Sequence, residues 1–502
     1  MSIWIYGLLF VYLGVILAVG FLAGKKTRDD PESFYVADRQ LNWKQEGLSV
    51  FSSAATGAAL LGTIGQFYGL KGGFLGYAVG YAVFGPALYW LMGSRLRRLG
   101  ARYGYQTQAE FLGHYFGSKT LSLASSIMTV GLLMVYMAVL PIAVSSAMAK
   151  YTGLNYNVGV VLFLVVALSY TLYGGLRAVA QTDVWHGMIL LAFLLLLVGG
   201  LVWAAGGPLD LISAPESQSY QFIPSTNSGL LIFLPWLITI AVSIVSLPDR
   251  SHRMFSAKND KNLRQAVILM GATLGFTSFA FLFSGMALNI LVPGVKKTDG
   301  AILLGLEGHA KWLIPLFVVN VWGASIAAAS MHMLTVANVF MKDIYAPLHR
   351  RLNPAAGASA DPSGRRSVQV GRVMMLLTAF VALLVSAGQP KVIFDIVGVV
   401  LGLFSQFGVI FLLTLFWRRT TKAGVVSGLV VGIGLTLMWQ YAVASPFGMA
   451  QPSVIALAAN VAVTVVVSLL TQGVSRRAGE AVDTSTEKAG VTPGHEPEGV
   501  LS

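Results

Sequence analysis

The sequence predicts an all-α polytopic membrane protein with about thirteen transmembrane helices, and two observations lead to this fold class. The first is composition: hydrophobic residues make up 55% of the 502 positions and charged residues only 11%, with a mean hydropathy of +0.71. Soluble domains carry roughly 25% charged residues, so the chain falls outside that class. The second observation is that apolar stretches of about 20 residues, long enough to cross a ~30 Å hydrocarbon core as a helix, recur along nearly the whole chain.

The predicted spans follow one another with short connections along most of the chain. They cover approximately residues 3–23, 47–66, 74–92, 121–149, 157–173, 184–203, 229–247, 266–292, 312–341, 373–387, 392–416, 424–443 and 453–470. The second span is the least apolar, because Ser, Ala, Thr and Gly are frequent in it. The first span is not predicted to be a cleavable signal peptide, since its basic cluster of Lys25, Lys26 and Arg28 follows the apolar run.

Positive charge is distributed unevenly between the two sets of alternate loops. The formal net charge is +13, and most of the 34 Lys and Arg residues lie on one side, with clusters at 95–102, 249–264, 349–351 and 417–422. Loops rich in Lys and Arg stay cytoplasmic, so the N-terminus is predicted outside and the C-terminus inside a cytoplasmic (inner) membrane. Because topology explains these charges, the lipid bilayer is the expected partner and nucleic acid is not.

Residues 1–473 are expected to form a single transmembrane domain. The stretch 348–369 is rich in Pro, Gly, Ala and Arg, which is typical of a flexible cytoplasmic loop. Residues 474–502 are polar and short of aromatic side chains, so they are expected to form a disordered cytoplasmic tail. Such a tail is too short for a kinase or another output domain.

Two spans are interrupted by small polar residues. The second span contains SVFSSAATGAALLG (49–62), and the seventh, five spans later, contains TIAVSIVSLP (239–248). Paired interruptions at corresponding positions are typical of broken helices that expose backbone groups near the membrane midplane in transporters built from inverted repeats. Ordinary close packing between helices also uses Ser and Gly and remains an alternative.

Several motifs then resemble one family in the order in which it carries them. YTLYGGLRAVAQTD (170–183) resembles the signature of the sodium/solute symporter family. Further resemblances lie in ESFYVADRQL (32–41), in Pro248 followed by Arg253, in MKDIY (341–345) and in LLTLFWRRTTKAGVVSGLVVG (412–432). The resemblance implies a LeuT-type core of two inverted five-helix repeats, at about residues 43–205 and 227–420, with alternating access to a site between the second, fourth, seventh and eleventh spans.

The resemblance also assigns an ion site, which this chain has in a degraded form. Backbone carbonyls of Ser52 and Ala55 on the first core helix and of Ala324 on the eighth would contact a sodium ion. The two hydroxyl ligands expected on the eighth core helix are replaced by Ala327 and Ala328. Sodium is a hard cation that prefers oxygen ligands, so sodium coupling is in doubt on the sequence alone.

Two ionisable residues are candidates for the ion pathway. Asp183 matches an acidic residue of the family near the cytoplasmic route of the ion, although a carboxylate at a helix N-terminus is also stabilised by the helix dipole. His332 lies in GASIAAASMHML (323–334), one helical turn after Ala328. Ionisable groups at membrane depth often mark proton or ion paths. A neutral histidine bonded between helices is the structural alternative.

Candidate substrate-binding residues are polar or aromatic groups expected to face the central cavity. Each of them is also compatible with ordinary helix packing. Gln406 is the foremost of them, because an uncharged amide deep in a span needs hydrogen-bond partners. The set is Ser53, Thr56, Gln66, Tyr136, Trp236, Thr239, Ser243 and Gln406.

Taken together, the residues predict a secondary active transporter that couples a cation to a small organic solute. Short monocarboxylates are the first substrate class, followed by amino acids such as proline, and by pantothenate. Proton coupling and uncoupled facilitation are alternatives, and a membrane sensor of the same fold is a further one. No cysteine, nucleotide-binding loop, metal cluster or nucleophile triad is found in the sequence, so we expect no enzyme activity, no cofactor beyond the coupling ion Na⁺ or H⁺, and a monomer or weak homo-oligomer.

Overall fold

The computed structural model of the chain describes residues 2–220, 227–352, 364–388, 393–443 and 453–472. Nearly all of these residues are helical, and the only β-pairing in the described ranges is an isolated bridge between Leu41 and Ala257. The all-α fold class is therefore confirmed. The predicted tail and the middle of the predicted loop at 348–369, residues 353–363, lie outside the described residues, whereas residues 348–352 and 365–369 are helical.

The helices are numbered in chain order. The first half contains α1 (Ser2–Gly24), α2 (Pro31–Val36), α3 (Trp43–Ala54), α4 (Gly57–Leu70), α5 (Leu75–Val79), α6 (Gly85–Tyr103), α7 (Gln108–Tyr115), α8 (Lys119–Thr152), α9 (Tyr156–Ala204) and α10 (Pro208–Ser213). The second half contains α11 (Asn227–Ser246), α12 (Pro248–Ser256), α13 (Asp260–Leu291), α14 (Ala301–His309), α15 (Ile314–Val339), α16 (Ala346–Leu352), α17 (Arg365–Ala387), α18 (Ile393–Phe416), α19 (Lys422–Tyr441) and α20 (Ser453–Leu470).

Within the described ranges, eleven helical stretches are long and apolar enough to cross a membrane. Two of them, Gly57–Tyr103 and Tyr156–Ala204, contain 47 and 49 residues. At a rise of 1.5 Å per residue, each is about 70 Å long and could cross a ~30 Å core twice. Each also contains a break: Lys71 has a φ of 49°, and Gly175 has a φ of 53°. The number thirteen remains a prediction.

The break inside α9 depends on glycine. Gly175 has a φ of 53° and a ψ of −148°, a conformation that L side chains rarely adopt. A Cβ atom at this position would also collide with the carbonyl oxygen of Phe34. The position therefore separates the two halves of α9 and brings α2 against the turn between them.

Both interruptions predicted from small polar residues are present as breaks in the helices. Between α3 and α4, Ala55 leaves the helical conformation and Thr56 is extended, with a ψ of 166°. Between α11 and α12, Leu247 is extended, with a ψ of 124°. Two broken helices five predicted spans apart agree with an inverted-repeat core.

The helix α15 lies at the centre of the bundle. Every residue from 317 to 339 is buried, and the helix packs against α1, α3, α4, α8, α9 and α17. Its small residues allow close approach: a Cβ atom at Gly323 would collide with the Tyr12 hydroxyl and lie 3.3 Å from Nδ1 of His186. The run GASIAAASMHML is thus a packing surface over part of its circumference.

Candidate functional site

The break between α3 and α4 brings two helix ends together. The last carbonyls of an α-helix and its first N–H groups have no partner within the helix, so α3 ends in free acceptors and α4 begins with free donors. Thr56 caps α4 by accepting a hydrogen bond from the Ala59 N–H at 3.2 Å. The negative end of α3 favours a cation, and the positive end of α4 favours an anionic group.

A narrow cavity adjoins this break, and its empty space of about 420 Å³ is in part open to the surroundings. Its wall is formed by the break itself, the start of the third span, and the helices α8, α11 and α18. No charged side chain lines it among the residues that the structure describes. The lining residues are Ala54, Thr56, Ala58, Ala59, Thr63, Tyr77, Tyr81, Tyr136, Trp236, Val397, Gly398 and Leu401.

One side of the cavity is an aromatic wall. Phe74 meets Trp236 edge-on with ring centroids 4.9 Å apart, and it stacks on Tyr77 at 4.9 Å. Tyr77 in turn meets Tyr81 at 4.8 Å. Thr63 lies 3.4 Å from the Tyr77 hydroxyl, a long hydrogen bond. The wall therefore combines a large apolar surface with a few hydroxyl groups.

Three of the predicted substrate-binding residues line the cavity: Thr56, Tyr136 and Trp236. Tyr77 and Tyr81 were not among the predicted residues. They belong to the third span, and their spacing of four residues, which places both on one face of a helix, is the signal that could have identified them.

Four other predicted substrate-binding residues do not line the cavity. Ser53 donates a hydrogen bond to the Ser49 carbonyl at 2.8 Å, and Ser243 donates to the Ile240 carbonyl at 3.1 Å. Thr239 is buried, and its hydroxyl has no partner among the described residues. Gln66 is half-buried on α4. These four side chains therefore do not line the cavity in this structure, and their role in substrate binding stays a prediction.

Gln406 also faces away from the cavity, contrary to the prediction. Its Nε2 donates to the Ser453 carbonyl at 3.1 Å, and Asn460 Nδ2 donates to its Oε1 at 3.2 Å. The amide satisfies its polar atoms against α20, so it joins α18 to a peripheral helix. The few polar residues of α18 do not form a continuous polar face, so the sequence gave no signal for the direction of this side chain.

The predicted ion-site positions on α15 are buried. Ala327 and Ala328 have no exposed surface and Ala324 has 2%. A hydroxyl that the sequence analysis did not single out lies beside Ala324: Ser325 is buried, and its Oγ has no partner in the described part of the chain. A Cβ atom at Gly57 would lie 2.5 Å from this Oγ, so Ser325 contacts the first turn of α4.

His332 lies behind the cavity wall. It is 1% exposed, and its ring packs against that of Tyr136 with centroids 4.9 Å apart. Its Nδ1 has no hydrogen-bond partner within the described ranges. The histidine is thus buried next to a cavity-lining tyrosine and is not bonded through Nδ1 to a backbone carbonyl.

Asp183 belongs to a buried ionic cluster. Arg253 is fully buried, its Nη1 donates to Asp249 Oδ2 at 2.9 Å, and its Nη2 lies 3.5 Å from Asp183 Oδ2. The Ser49 hydroxyl donates to Asp183 and accepts from Arg253 Nε at 2.8 Å. The cluster therefore connects α3, α9 and α12.

Arg250 completes this cluster. It is 2% exposed, and its Nη1 lies 3.1 Å from Asp249 Oδ2 and donates to the Val50 carbonyl at 3.2 Å. The interpretation of the cluster at 249–264 as loop cations is therefore wrong for its first part. The two arginines are buried because Asp249 and Asp183 compensate their charge. In the sequence, the carboxylate of Asp249 directly after Pro248 was the signal that could have indicated a buried ion pair.

Comparison with solved structures gives the fold. A Na⁺-coupled sialic acid symporter, solved in a substrate-bound outward-open state, matches with a TM-score of 0.78 at 18% identity, covering 93% of this chain and 98% of that chain. Mhp1, a nucleobase-cation-symport-1 family transporter, matches with a TM-score of 0.55 at 15% identity, covering 89% and 98% of the two chains. The fold, with its two broken helices, is that of a LeuT-type secondary transporter.

Sequence comparison gives the family. The sodium:solute symporter family matches residues 34–432, so the chain belongs to the sodium:solute symporter family. The osmoregulated proline transporter OpuE of Bacillus subtilis (strain 168) is 24% identical over 457 residues, 88% of this chain and 89% of that protein. The high-affinity proline transporter PutP of the same organism is 25% identical over 476 residues, or 92% and 97%. A sodium/proline symporter of Staphylococcus aureus (strain bovine RF122 / ET3-1) is 23% identical over 454 residues, or 86% and 85%.

These findings confirm the predicted family and the predicted class of activity. The chain is a multi-pass membrane protein of a family of transporters, and it performs cation-coupled symport of a small organic solute.

Proposed function

We propose that the protein imports a small organic solute carrying one carboxylate group, together with Na⁺. The observation that supports this proposal is the position of the cavity, between the N-terminus of α4 and the aromatic wall. A carboxylate would accept hydrogen bonds from the free N–H groups of the first turn of α4. The apolar part of the solute would pack against Tyr77, Tyr136 and Trp236.

This chemistry is shared by the three substrate classes inferred from the sequence. Short monocarboxylates, proline and pantothenate each combine one carboxylate with an apolar or weakly polar body. We place short monocarboxylates first, because no carboxylate among the described lining residues is available for the ammonium group of an amino acid. The proline transporters among the relatives support proline as the next candidate.

Sodium would be held mainly by backbone oxygens. Carbonyls of Ser52 and Ala55 end α3 at the break, and the Ala324 carbonyl lies on the facing helix α15. The hydroxyl of Ser325 is a further oxygen in this region. Because Ala327 and Ala328 supply no hydroxyl, we expect weaker sodium binding than in a member with both hydroxyls. Asp183 would attract the released ion, although Arg253 compensates part of its charge.

Proton coupling is the second candidate, and a specific observation favours it. His332 is buried beside Tyr136, and its Nδ1 has no partner among the described residues. It could therefore exchange a proton with Tyr136, which lines the cavity. His332→Gln keeps the size and polarity of the side chain and removes its titration. We expect uptake driven by Na⁺ to keep at least half of its rate in this variant. A different result would favour the proton as the coupling ion: a pH gradient drives uptake by the unchanged protein, and His332→Gln abolishes that uptake completely.

Location and assembly follow the sequence predictions. We propose a cytoplasmic membrane, with the N-terminus outside and the C-terminus inside, a transmembrane domain over residues 1–473, and a monomer or weak homo-oligomer without enzyme activity. The chain contains no cysteine, so single cysteines can be introduced without background. Ser2→Cys should react with an impermeant maleimide on intact cells, whereas Lys258→Cys should react only after permeabilisation.

The substrate class is tested by uptake into proteoliposomes under an inward Na⁺ gradient. The panel contains radiolabelled short monocarboxylates, proline and pantothenate, with the methyl ester of each as a matched solute that lacks the carboxylate. We expect saturable, Na⁺-dependent uptake of at least one acid and no Na⁺-dependent uptake of its ester. Equal Na⁺-dependent uptake of an acid and its ester would contradict the role of the α4 N-terminus.

A further inference from the structure

A groove outside the central site lies where α1, α3 and the second half of α9 meet. It contains about 1000 Å³, part of which is open to the surroundings. None of its lining residues lines the central cavity. Its position follows from α1, which ends at Gly24 just before two lysines, and from the break at Gly175 in α9. The groove therefore lies at the membrane border on the side predicted to be cytoplasmic.

The polar level of this groove offers hydrogen-bond donors and positive charge. The Lys26 side chain is exposed and has no partner among the described residues. Arg177 Nη2 binds Asp38 at 2.6 Å, but its Nε is buried without a partner in the described part of the chain. Asp38 is shared with Arg28 at 2.7 Å, and Arg28 also binds Asp30 at 2.9 Å, so Lys26 is the cation at this level that no carboxylate contacts among the described residues.

Two amides add to the donors at the same level. Gln45 lies in the first turn of α3, and its Nε2 donates to Gln181 Oε1 at 3.1 Å. This contact orients the Gln181 amide so that its NH₂ group remains available, since no acceptor for it is found in the described ranges. The groove thus brings an ammonium, a guanidinium and an amide together at one level.

Apart from the exposed Gln40, the remaining lining is apolar, and part of it is exposed. Leu22 is 61% exposed and Trp185 is 40% exposed, and Val19 and Ala23 continue the strip along α1. A free inorganic anion would make no favourable contact with this apolar strip. A phospholipid combines a phosphate with acyl chains in this arrangement, and Trp is frequent at the level of lipid headgroups.

We propose that this groove binds the phosphate headgroup of an anionic phospholipid from the cytoplasmic leaflet. Lys26, Arg177 and Gln181 would contact the phosphate, while an acyl chain would lie along Leu22 and Trp185. Basic pockets between helices on the cytoplasmic side are suited to such headgroups. Gln45 in the first turn of α3 donates a hydrogen bond to Gln181 of α9. A lipid that contacts Gln181 would therefore stabilise the packing of α3 against α9.

The test uses the full-length protein, delipidated in detergent, and its thermal unfolding with added phosphatidylglycerol, phosphatidylcholine or inorganic phosphate. The variant is Lys26→Gln, and the matched control is Lys25→Gln, which removes the same charge from an exposed neighbour that does not line the groove. We expect phosphatidylglycerol to stabilise the unchanged protein and Lys25→Gln alike. Lys26→Gln should need about five times more phosphatidylglycerol for the same thermal stabilisation, since one cation near an anionic membrane surface contributes about 1 kcal/mol.

Three outcomes would overturn the proposal. They are an equal effect of phosphatidylcholine, an equal loss in both variants, and full stabilisation by inorganic phosphate, which would indicate a free-anion site. Native mass spectrometry provides a second readout that does not depend on the unfolding transition. It should detect phosphatidylglycerol retained by Lys25→Gln and about fivefold less retained by Lys26→Gln; equal retention would also contradict the lipid site.

Discussion

Arg253 shows how one residue can connect three helices inside the membrane domain. Its guanidinium has donors in a fixed fork, and here they reach Asp249, the Ser49 hydroxyl and the Ser53 hydroxyl. Removing one partner of a buried ion pair leaves an uncompensated charge and costs about 3–5 kcal/mol. Removing either an arginine or an aspartate from the cluster is therefore expected to lower the stability of the fold.

For Arg253→Ala we expect the free energy of unfolding to fall by about 3–5 kcal/mol, because Asp183 and Asp249 would then share only Arg250. Unfolding by a denaturing detergent, followed by circular dichroism, measures the change. Arg264→Ala is the control, since Arg264 is exposed and lies beyond the cluster on α13. Equal stability of both variants would show that the cluster does not support the fold.

The alanines on α15 define a second experiment at the scale of single residues. Introducing Ala327→Ser together with Ala328→Ser would supply the two hydroxyl oxygens that the ion site lacks. We expect the sodium concentration for half-maximal uptake to fall by about tenfold, because a hard cation would gain two oxygen ligands.

Ala329→Ser is the matched control for this pair, because it places the same hydroxyl one residue further along the same buried helix. It should leave the sodium dependence unchanged. If the double variant behaved like this control, sodium would not bind between α3 and α15.

The chemistry of these residues could be predicted from the sequence, but the direction of their side chains could not. Thr56, Tyr136 and Trp236 do line the cavity, whereas Gln406 faces α20. In a soluble helix, the polar face shows which side is exposed. In this bundle, both faces of a helix are apolar, so the pattern does not distinguish the cavity from the lipid or from a neighbouring helix.

At the scale of elements, the break between α3 and α4 depends on the close approach of α15. A Cβ atom at Gly57 would lie 2.5 Å from Ser325 Oγ and 2.7 Å from the Val321 carbonyl oxygen. Both contacts are too short, and the backbone carbonyl cannot turn away. The first turn of α4 must therefore begin with a glycine if it is to pack at this depth.

For Gly57→Ala we expect a loss of about 1–3 kcal/mol in stability from overpacking, together with reduced uptake, because the break must shift. Gly131→Ala is the control: Gly131 lies within α8 and a Cβ atom there would meet nothing within 4 Å. The control should be neutral or slightly stabilising, as alanine favours helix. Normal uptake by Gly57→Ala would contradict the role assigned to this contact.

The breaks themselves were predictable, because small polar residues interrupt two otherwise apolar spans at equivalent positions. The local change of helix type in the third span was not. Gly80–Phe84 forms a π-helical turn there, and it directs Tyr81 toward Tyr77 and the cavity. Hydropathy contains no information on such a local change of helical pitch.

At the scale of the whole molecule, composition and motif order were sufficient to predict the class and family. The number of spans is less determined, since two stretches of 47 and 49 residues continue as helix through their connections. A short connection that remains helical produces no polar gap in the sequence. The buried ionic cluster was also missed as a unit, because its members come from segments as distant as Ser49 and Arg253.

The identity of the coupling ion is the central claim, and its energetic consequence is large. One elementary charge crossing 100 mV releases about 2.3 kcal/mol, which corresponds to roughly fiftyfold accumulation of a neutral or zwitterionic solute. For a monoanionic solute, the Na⁺ concentration gradient supplies the driving force, because one Na⁺ and one monoanion carry no net charge across the membrane. Sodium coupling also requires that the carbonyls at the end of α3 bind an ion without the usual hydroxyls on α15.

The most direct test compares solute uptake into proteoliposomes under three imposed conditions: a sodium gradient, a proton gradient at constant sodium, and no gradient. We expect accumulation above the external concentration only with the sodium gradient, saturating with sodium concentration. Accumulation driven by the proton gradient at constant sodium, or equal uptake under all three conditions, would contradict sodium-coupled symport.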